Sequence, residues 1–214
     1  MDFFDKVSEG QIVPVVVIDD ARNAVPCAKA LLEGGIVFME ITMRTTCALD
    51  AIKEVVSNVP GITVGAGTVL SVDNAKSAIA CGASFIVSPG FSAEVADLCV
   101  AEGIPYVPGC VTPTEIMAAA AKGLNVVKFF PAKVYGGKSA VKELAGVFRN
   151  VKFLPTGGIN TDNLEDYIGE PYIAAVGGSW VCPSDMISAG DFAGITARSR
   201  EAKGKIKAVK EGRS

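Results

Sequence analysis

Lys128 stands alone in the segment NVVKFFPAK, residues 125 to 133, among Val126, Val127, Phe129 and Phe130. Stripping an ammonium group of water is costly unless the charge is paired or neutralised. Two readings follow. Either Lys128 is held by a buried partner, or its apolar neighbours disfavour the cation and leave a neutral amine. A neutral amine attacks a ketone and forms an iminium, the electron sink that lets an adjacent carbon–carbon bond break. Glu40, in the otherwise apolar run IVFMEIT, is an acid that can pair with such a lysine or move protons for it. Arg44, four residues further on, suits a bidentate clamp on a carboxylate, or is an ordinary surface arginine.

The chain contains no histidine. That removes the usual metal ligand, the serine–histidine pair and the commonest general base. Proton transfer then falls to Glu, Asp, Lys, Tyr, Cys or water, and neither a metal nor another cofactor is expected. The six cysteines form no CxxC pair, as isolated thiols of a reducing cytoplasm would.

Eight short apolar, β-branched runs must position these residues: IVPVVVI, IVFMEIT, ITVGAG, SFIVS, PYVPG, NVVKFFP, VKFLPTG and YIAAVGG. They recur every twenty-odd residues. Helix-like segments lie between them, most opening near Ser, Thr or Asp and several closing on Gly. Runs that are apolar throughout suit parallel strands buried on both faces. The pattern predicts a single-domain α/β chain over residues 1–214, a (β/α)8 TIM barrel; a doubly wound open sheet is the alternative. FFDKVSEG adds an N-terminal helix, and the tail from GDFAGIT is read as a last helix with a ragged basic end.

Chemistry in such a barrel gathers at the C-terminal strand ends. Strand two is expected to end at Glu40, strand three at Thr68, strand four at Pro89 and strand five at Gly109; strand six carries Lys128. Strand seven ends in PTGG, with Thr156, Gly157 and Gly158. Strand eight ends in GGS, with Gly177, Gly178 and Ser179. Glycine pairs let backbone N–H groups approach an anion, and loops after strands seven and eight are a recurrent phosphate site.

The chain resembles the bacterial 2-keto-3-deoxy-6-phosphogluconate aldolase family, whose members often also act on 4-hydroxy-2-oxoglutarate. The resemblance is carried jointly by VPVVVI, GGIVFMEITMRT, VGAGTVL, VSPGF, IPYVPGCVTPTEI, VKFFPA, LPTGGI and GGSW, and covers nearly the whole chain. It implies a class I aldolase that yields pyruvate and glyceraldehyde 3-phosphate, and usually a homotrimer. It implies that Lys128 forms the Schiff base and that Glu40 is the acid–base group, acting through water. Arg44 and Thr68 would hold the pyruvate carboxylate, and Pro89 and Phe130 would line the pocket. Thr156 would lie near the sugar chain, with Gly157, Gly158, Gly177, Gly178 and Ser179 around the phosphate. Lys133 stands where the resemblance leads one to expect an acid. The galactonate epimer's aldolase and a non-catalytic phosphosugar-binding barrel are the competing readings.

A net charge of -3 and an acidic pI near 5.1 give no bulk attraction for nucleic acid or an anionic membrane. The longest apolar stretch falls well short of the ~20 residues of a membrane span. The first residues lack the basic and apolar regions of a secretory signal, so a cytoplasmic location is expected.

Overall fold

The structure, a computed structural model, describes residues 3–212. Residues 1–2 and 213–214, including the last two of the basic tail, lie outside the described residues.

The chain alternates strand and helix: α1 (Phe3–Gly10), β1 (Ile12–Val16), α2 (Ala24–Glu33), β2 (Phe38–Thr42), α3 (Ala48–Asn58), β3 (Thr63–Gly67), α4 (Val72–Ala80) and β4 (Ile86–Val87). There follow α5 (Ala93–Ala101), β5 (Tyr106–Val107), α6 (Pro113–Ala121), β6 (Val126–Phe129), α7 (Gly137–Val147), β7 (Lys152–Pro155), α8 (Leu164–Tyr167), β8 (Val176–Gly178), α9 (Ser184–Ala189) and α10 (Phe192–Glu211). Each expected strand forms within its predicted run. The capping signals act as read. Ser71, Ser92 and Thr112 accept backbone N–H bonds at the starts of α4, α5 and α6, and Glu115 completes a capping box with Thr112.

Three local features differ from expectation. The segment TDNLEDYIG yields only the single turn α8, α9 intervenes before the last helix, and the basic tail stays helical to Glu211. Turn-rich Asn and Asp residues explain the first: Asn160 and Asn163 fold the loop onto itself through Asn160 Oδ1 and Asn163 Oδ1.

All pairings are parallel. One curled sheet has the order β5–β4–β3–β2–β1–β8, and β6 pairs with β7. Single bridges link the two, Gly109 with Lys128 on one side and Thr156 with Gly177 on the other.

Strand alternation divides the apolar residues into two layers. Met39, Ile41, Val127 and Phe129 face outward into the large core shared with the helices. Val13, Phe38, Val107, Val126 and Leu154 face inward with Phe85 and Val87. Helix α1 packs against one end of this inner cluster, with Val7 buried in it and Phe3 close to the Phe38 and Phe85 rings. Those aromatic rings make a dry floor. The residues two positions further along β2 and β6 therefore rise from that floor into the interior, and they are Glu40 and Lys128.

Candidate active site

Lys128 and Glu40 come from strands on different parts of the sheet system and meet in the interior. Lys128 Nζ donates to Glu40 Oε1 at 3.1 Å. Glu40 is fully buried and Lys128 is only 5% exposed. Glu40 lies in the middle of β2, level with Val15 of β1 and Gly65 of β3, rather than at the strand's end as the sequence suggested. Lys128 lies level with Gly109 and with Leu154.

The pair exists because glycine leaves room for it. A Cβ on Gly67 would lie 2.1 Å from Glu40 Oε1, so no other residue fits there without moving the carboxylate. The sequence marked Gly67 only as part of a strand end; its contact with a residue 27 positions earlier is visible only in three dimensions.

The burial of Lys128 has a different origin from the one its flanking residues suggested. Val127 and Phe129 belong to the outer layer, so they do not surround the amine. Val126 is on the inner floor, and the Phe130 ring lies with its centroid 5.3 Å from Nζ. Period-two alternation is the reason: adjacent strand residues face opposite sides.

Glu40 Oε2 is a buried oxygen without a hydrogen-bond partner among the described residues. Buried carboxylate oxygens normally accept bonds. This oxygen is thus an available acceptor next to the amine.

Arg44 is exposed, beyond the end of β2, and its Nε donates to Thr68 Oγ1 at 3.3 Å. Met43 N bonds to Gly67 O at 2.7 Å and fixes the loop that carries it. Thr68 has φ +56, a left-handed conformation that a β-branched residue adopts at a cost of about 1–3 kcal/mol. Strain of this kind concentrates at functional sites. Arg44 and Thr68 are thereby brought together.

Pro89 and Phe130 share the wall of a cavity of about 250 Å³ with Gly109, Val111, Glu115, Pro131 and Tyr135. The Gly109 backbone packs so closely that a Cβ there would meet Pro89 O at 2.0 Å. Burial acts to raise the Glu115 carboxyl, but N–H bonds from Val111 and Thr112 outweigh it and hold the group below its usual range. Cys110, at the same strand end, is pushed up to about 12, by burial first and then by the Glu115 charge. It is therefore a thiol, not a nucleophile, at neutral pH. A roomier trough of about 740 Å³ is lined by residues of α2, α3 and the turn before α2, such as Arg22, Lys29, Asp50 and Lys53.

Thr156 is buried, and its Oγ1 donates to Leu154 O at 3.3 Å. A Cβ on Gly177 would lie 2.2 Å from that Oγ1, so Gly177 has a packing reason to be glycine. Gly178 has another, since its Cβ would lie 2.4 Å from the Trp180 ring. Gly157 and Gly158 have φ +93 and +84, which favour glycine. Their carbonyls are tied back: Lys133 N donates to Gly157 O at 3.0 Å and Asn163 Nδ2 to Gly158 O at 2.8 Å. The N–H groups of Gly157, Gly158 and Ser179 donate to no acceptor among the described residues. Unused backbone donors of this kind, here at two strand ends, are groups that can accept an anion. Sequence reasoning missed Asn163, whose run of turn residues read only as a helix start.

Comparison with known proteins identifies the family. Residues 4–198 match the family model "Aldolase: KDPG and KHG aldolase". The 2-dehydro-3-deoxy-phosphogluconate aldolase of Treponema pallidum is 43% identical over 198 residues, 92% of this chain and 94% of that protein. The KHG/KDPG aldolase of Escherichia coli K12 is 42% identical over 196 residues, 92% of each chain. The KDPG aldolase of Legionella pneumophila, solved with pyruvate captured at low pH as a covalent carbinolamine intermediate, superposes with a TM-score of 0.90 at 37% identity, covering 94% of this chain and 98% of that one. The chain belongs to the KDPG and KHG aldolase family.

Proposed function

We propose that this protein is a class I aldolase that cleaves 2-keto-3-deoxy-6-phosphogluconate to pyruvate and glyceraldehyde 3-phosphate, with Lys128 as the Schiff-base residue. The observation that carries the reading is the buried Lys128–Glu40 pair, 3.1 Å apart, with the second carboxylate oxygen free to accept.

Proton transfer from the Lys128 ammonium to Glu40 frees an amine to attack the C2 ketone. Loss of water then gives an iminium. The C4 hydroxyl loses its proton as the C3–C4 bond breaks, and the bonding pair moves toward the iminium nitrogen. Glyceraldehyde 3-phosphate leaves, and an enamine stays on Lys128. Protonation at C3 gives the pyruvyl iminium, and water releases pyruvate and restores the amine. Glu40, acting directly or through water, moves the protons. Arg44 and Thr68 hold the carboxylate beside C2, Pro89 and Phe130 bound the pocket, and Thr156 lies toward the sugar chain. Gly157, Gly158, Gly177, Gly178 and Ser179 surround the phosphate, with the unused N–H groups of Gly157, Gly158 and Ser179 supporting that role.

The two linking bridges support reading the eight strands as one closed (β/α)8 barrel and the chain as one domain. The homotrimer expected from the family remains part of this proposal, as does a cytoplasmic location, which the free thiols of all six cysteines suit. Family members named for both substrates support a second activity on 4-hydroxy-2-oxoglutarate. The test is pyruvate release from the gluconate acid, from its galactonate epimer and from 4-hydroxy-2-oxoglutarate, measured side by side. The gluconate acid should have the highest kcat/KM. Higher kcat/KM on the galactonate epimer would reassign the substrate, and binding without pyruvate release would leave only a phosphosugar-binding protein.

A further inference from the structure

The two glycine loops that present N–H groups contain no positive side chain, since neither PTGGI nor GGSW includes Lys or Arg. A phosphate ester carries up to two negative charges at neutral pH. The question is whether a charge reaches it from another part of the fold.

We propose that Lys133, from the loop between β6 and α7, supplies that charge and selects for phosphorylated substrates. The inference rests on the aldolase reading above and on three observations. First, the Lys133 stem crosses Gly158: its Cβ, Cδ and Cγ lie 2.5, 3.1 and 3.3 Å from the point a Gly158 Cβ would occupy. Glycine at 158 is therefore needed for the lysine to lie there, as well as for the backbone angle. Second, Lys133 N is fastened to Gly157 O at 3.0 Å, so the loop bearing the lysine moves with the loop bearing the free donors. Third, Lys133 and Gly158 share the wall of a cavity of about 370 Å³ with Gly136, Gly137, Asn160, Asn163 and Tyr167. Among these lining residues only Lys133 is charged, and no acid pairs with it among the described residues.

Backbone geometry gives the direction. In a trans peptide the carbonyl and the following N–H point opposite ways. With the Gly157 carbonyl turned toward the Lys133 backbone, the Gly158 N–H faces away from it. The lysine stem packed over Gly158 is long and flexible enough to bring its ammonium to an anion on that N–H. Lysine acts here as a mobile point charge and adds attraction without fixing orientation. Backbone donors fix position, and Lys133 raises the preference for phosphate over a neutral group.

The experiment runs the reaction in the condensation direction. Pyruvate is supplied with glyceraldehyde 3-phosphate or with glyceraldehyde, and the ratio of the two kcat/KM values is taken for the parent, Lys133→Met, Lys133→Glu and Lys133→Arg. Methionine keeps most of the stem over Gly158 while removing the charge. The ratio should fall roughly threefold to tenfold in Lys133→Met, as expected of a solvent-exposed charge facing a dianion. It should fall further in Lys133→Glu and be largely kept in Lys133→Arg. Added salt should lower the parent's ratio and have less effect on that of Lys133→Met. A purely structural role would move both aldehydes together and leave the ratio at the parent's value, overturning the proposal. A ratio that falls as far in Lys133→Arg as in Lys133→Met would overturn it too, because stem packing rather than charge would then be the cause. Borohydride trapping of pyruvate on the parent is run alongside. No adduct and no condensation would remove the aldolase reading and this proposal with it, whereas an adduct with an unchanged ratio removes this proposal alone.

Discussion

The two ends of the proposed substrate site are built on opposite principles. At the ketone end two ionisable side chains, Glu40 and Lys128, are buried over an aromatic floor, and the neighbouring glycine, Gly67, makes space for one of them. At the phosphate end the donors are backbone N–H groups, and Gly158 and Ser179 are exposed. Bond making needs a nucleophile and a base in a place where water does not level their properties, and only side chains supply these. Holding a phosphate needs directed donors, which backbone supplies without desolvating a charge. The comparison predicts that substitutions at the ketone end reduce chemistry for every substrate, and that those at the phosphate end discriminate between substrates.

The largest effect should come from Lys128→Ala. Turnover should fall on the order of 10⁴-fold or more, for phosphorylated and unphosphorylated acids alike. Removing one partner of a buried pair also costs about 3–5 kcal/mol, so a thermal melt must show that the variant is folded. A folded Lys128→Ala protein with near-parental kcat would break the comparison at its stronger end.

Glu40→Gln separates pairing from proton transfer. The amide keeps the shape and one acceptor, so pyruvate should still bind. Exchange of the pyruvate methyl protons with solvent, followed by proton NMR, should slow by ~10²-fold or more. Parental exchange rates would place the base elsewhere.

Gly67→Ala asks whether the space beside Glu40 matters. Its Cβ would lie 2.1 Å from Oε1, so the carboxylate must move. We expect kcat to fall about 10²-fold, as for an ångström-scale displacement of a reacting group, with a stability loss of about 1–3 kcal/mol. Parental kcat would show that the carboxylate tolerates displacement.

Gly158→Ala addresses the other end. Both its φ of +84 and its contact with Lys133 oppose a side chain. KM for the phosphorylated acid should rise roughly tenfold, the equivalent of about one hydrogen bond, while pyruvate proton exchange should change much less. Remote binding energy also positions the substrate, so some fall in kcat is expected. Equal loss of both reactions in a folded variant would contradict a separate phosphate site.

The smallest expected effect is that of chelation. The chain has no histidine to hold a Lewis acid, so activity should survive exhaustive EDTA treatment. Loss on chelation with recovery on adding a divalent ion would contradict the class I assignment.

The ketone end was largely legible in the sequence, because a lysine or a glutamate within an apolar strand is conspicuous. The strand runs and capping residues likewise located the elements. Gly67 was not legible in the same way. Its reason for being glycine is a side chain on another strand, and no local pattern records that contact. The environment of Lys128 was misread locally for a related reason: its nearest neighbours in sequence, Val127 and Phe129, face the other side of the strand. At the phosphate end the glycine pairs were visible, but Gly177 and Gly178 are explained by Thr156 and Trp180 packing as well as by any anion. Asn163 gained significance only when the fold placed it on Gly158, and Lys133, conspicuous in the sequence only as a departure from an expected acid, when the fold placed it on Gly157. The brevity of α8 followed from side-chain turns that compete with helix, a local effect that helical patterning alone does not reveal.

The most direct measurement is borohydride reduction in the presence of pyruvate, followed by peptide mass spectrometry. The account predicts a single reduced pyruvyl adduct, located on Lys128 in the peptide containing VVKFFPAK and abolished by Lys128→Ala. An adduct on Lys133 or Lys138 instead, or no adduct from a protein that still releases pyruvate from the sugar acid, would contradict it.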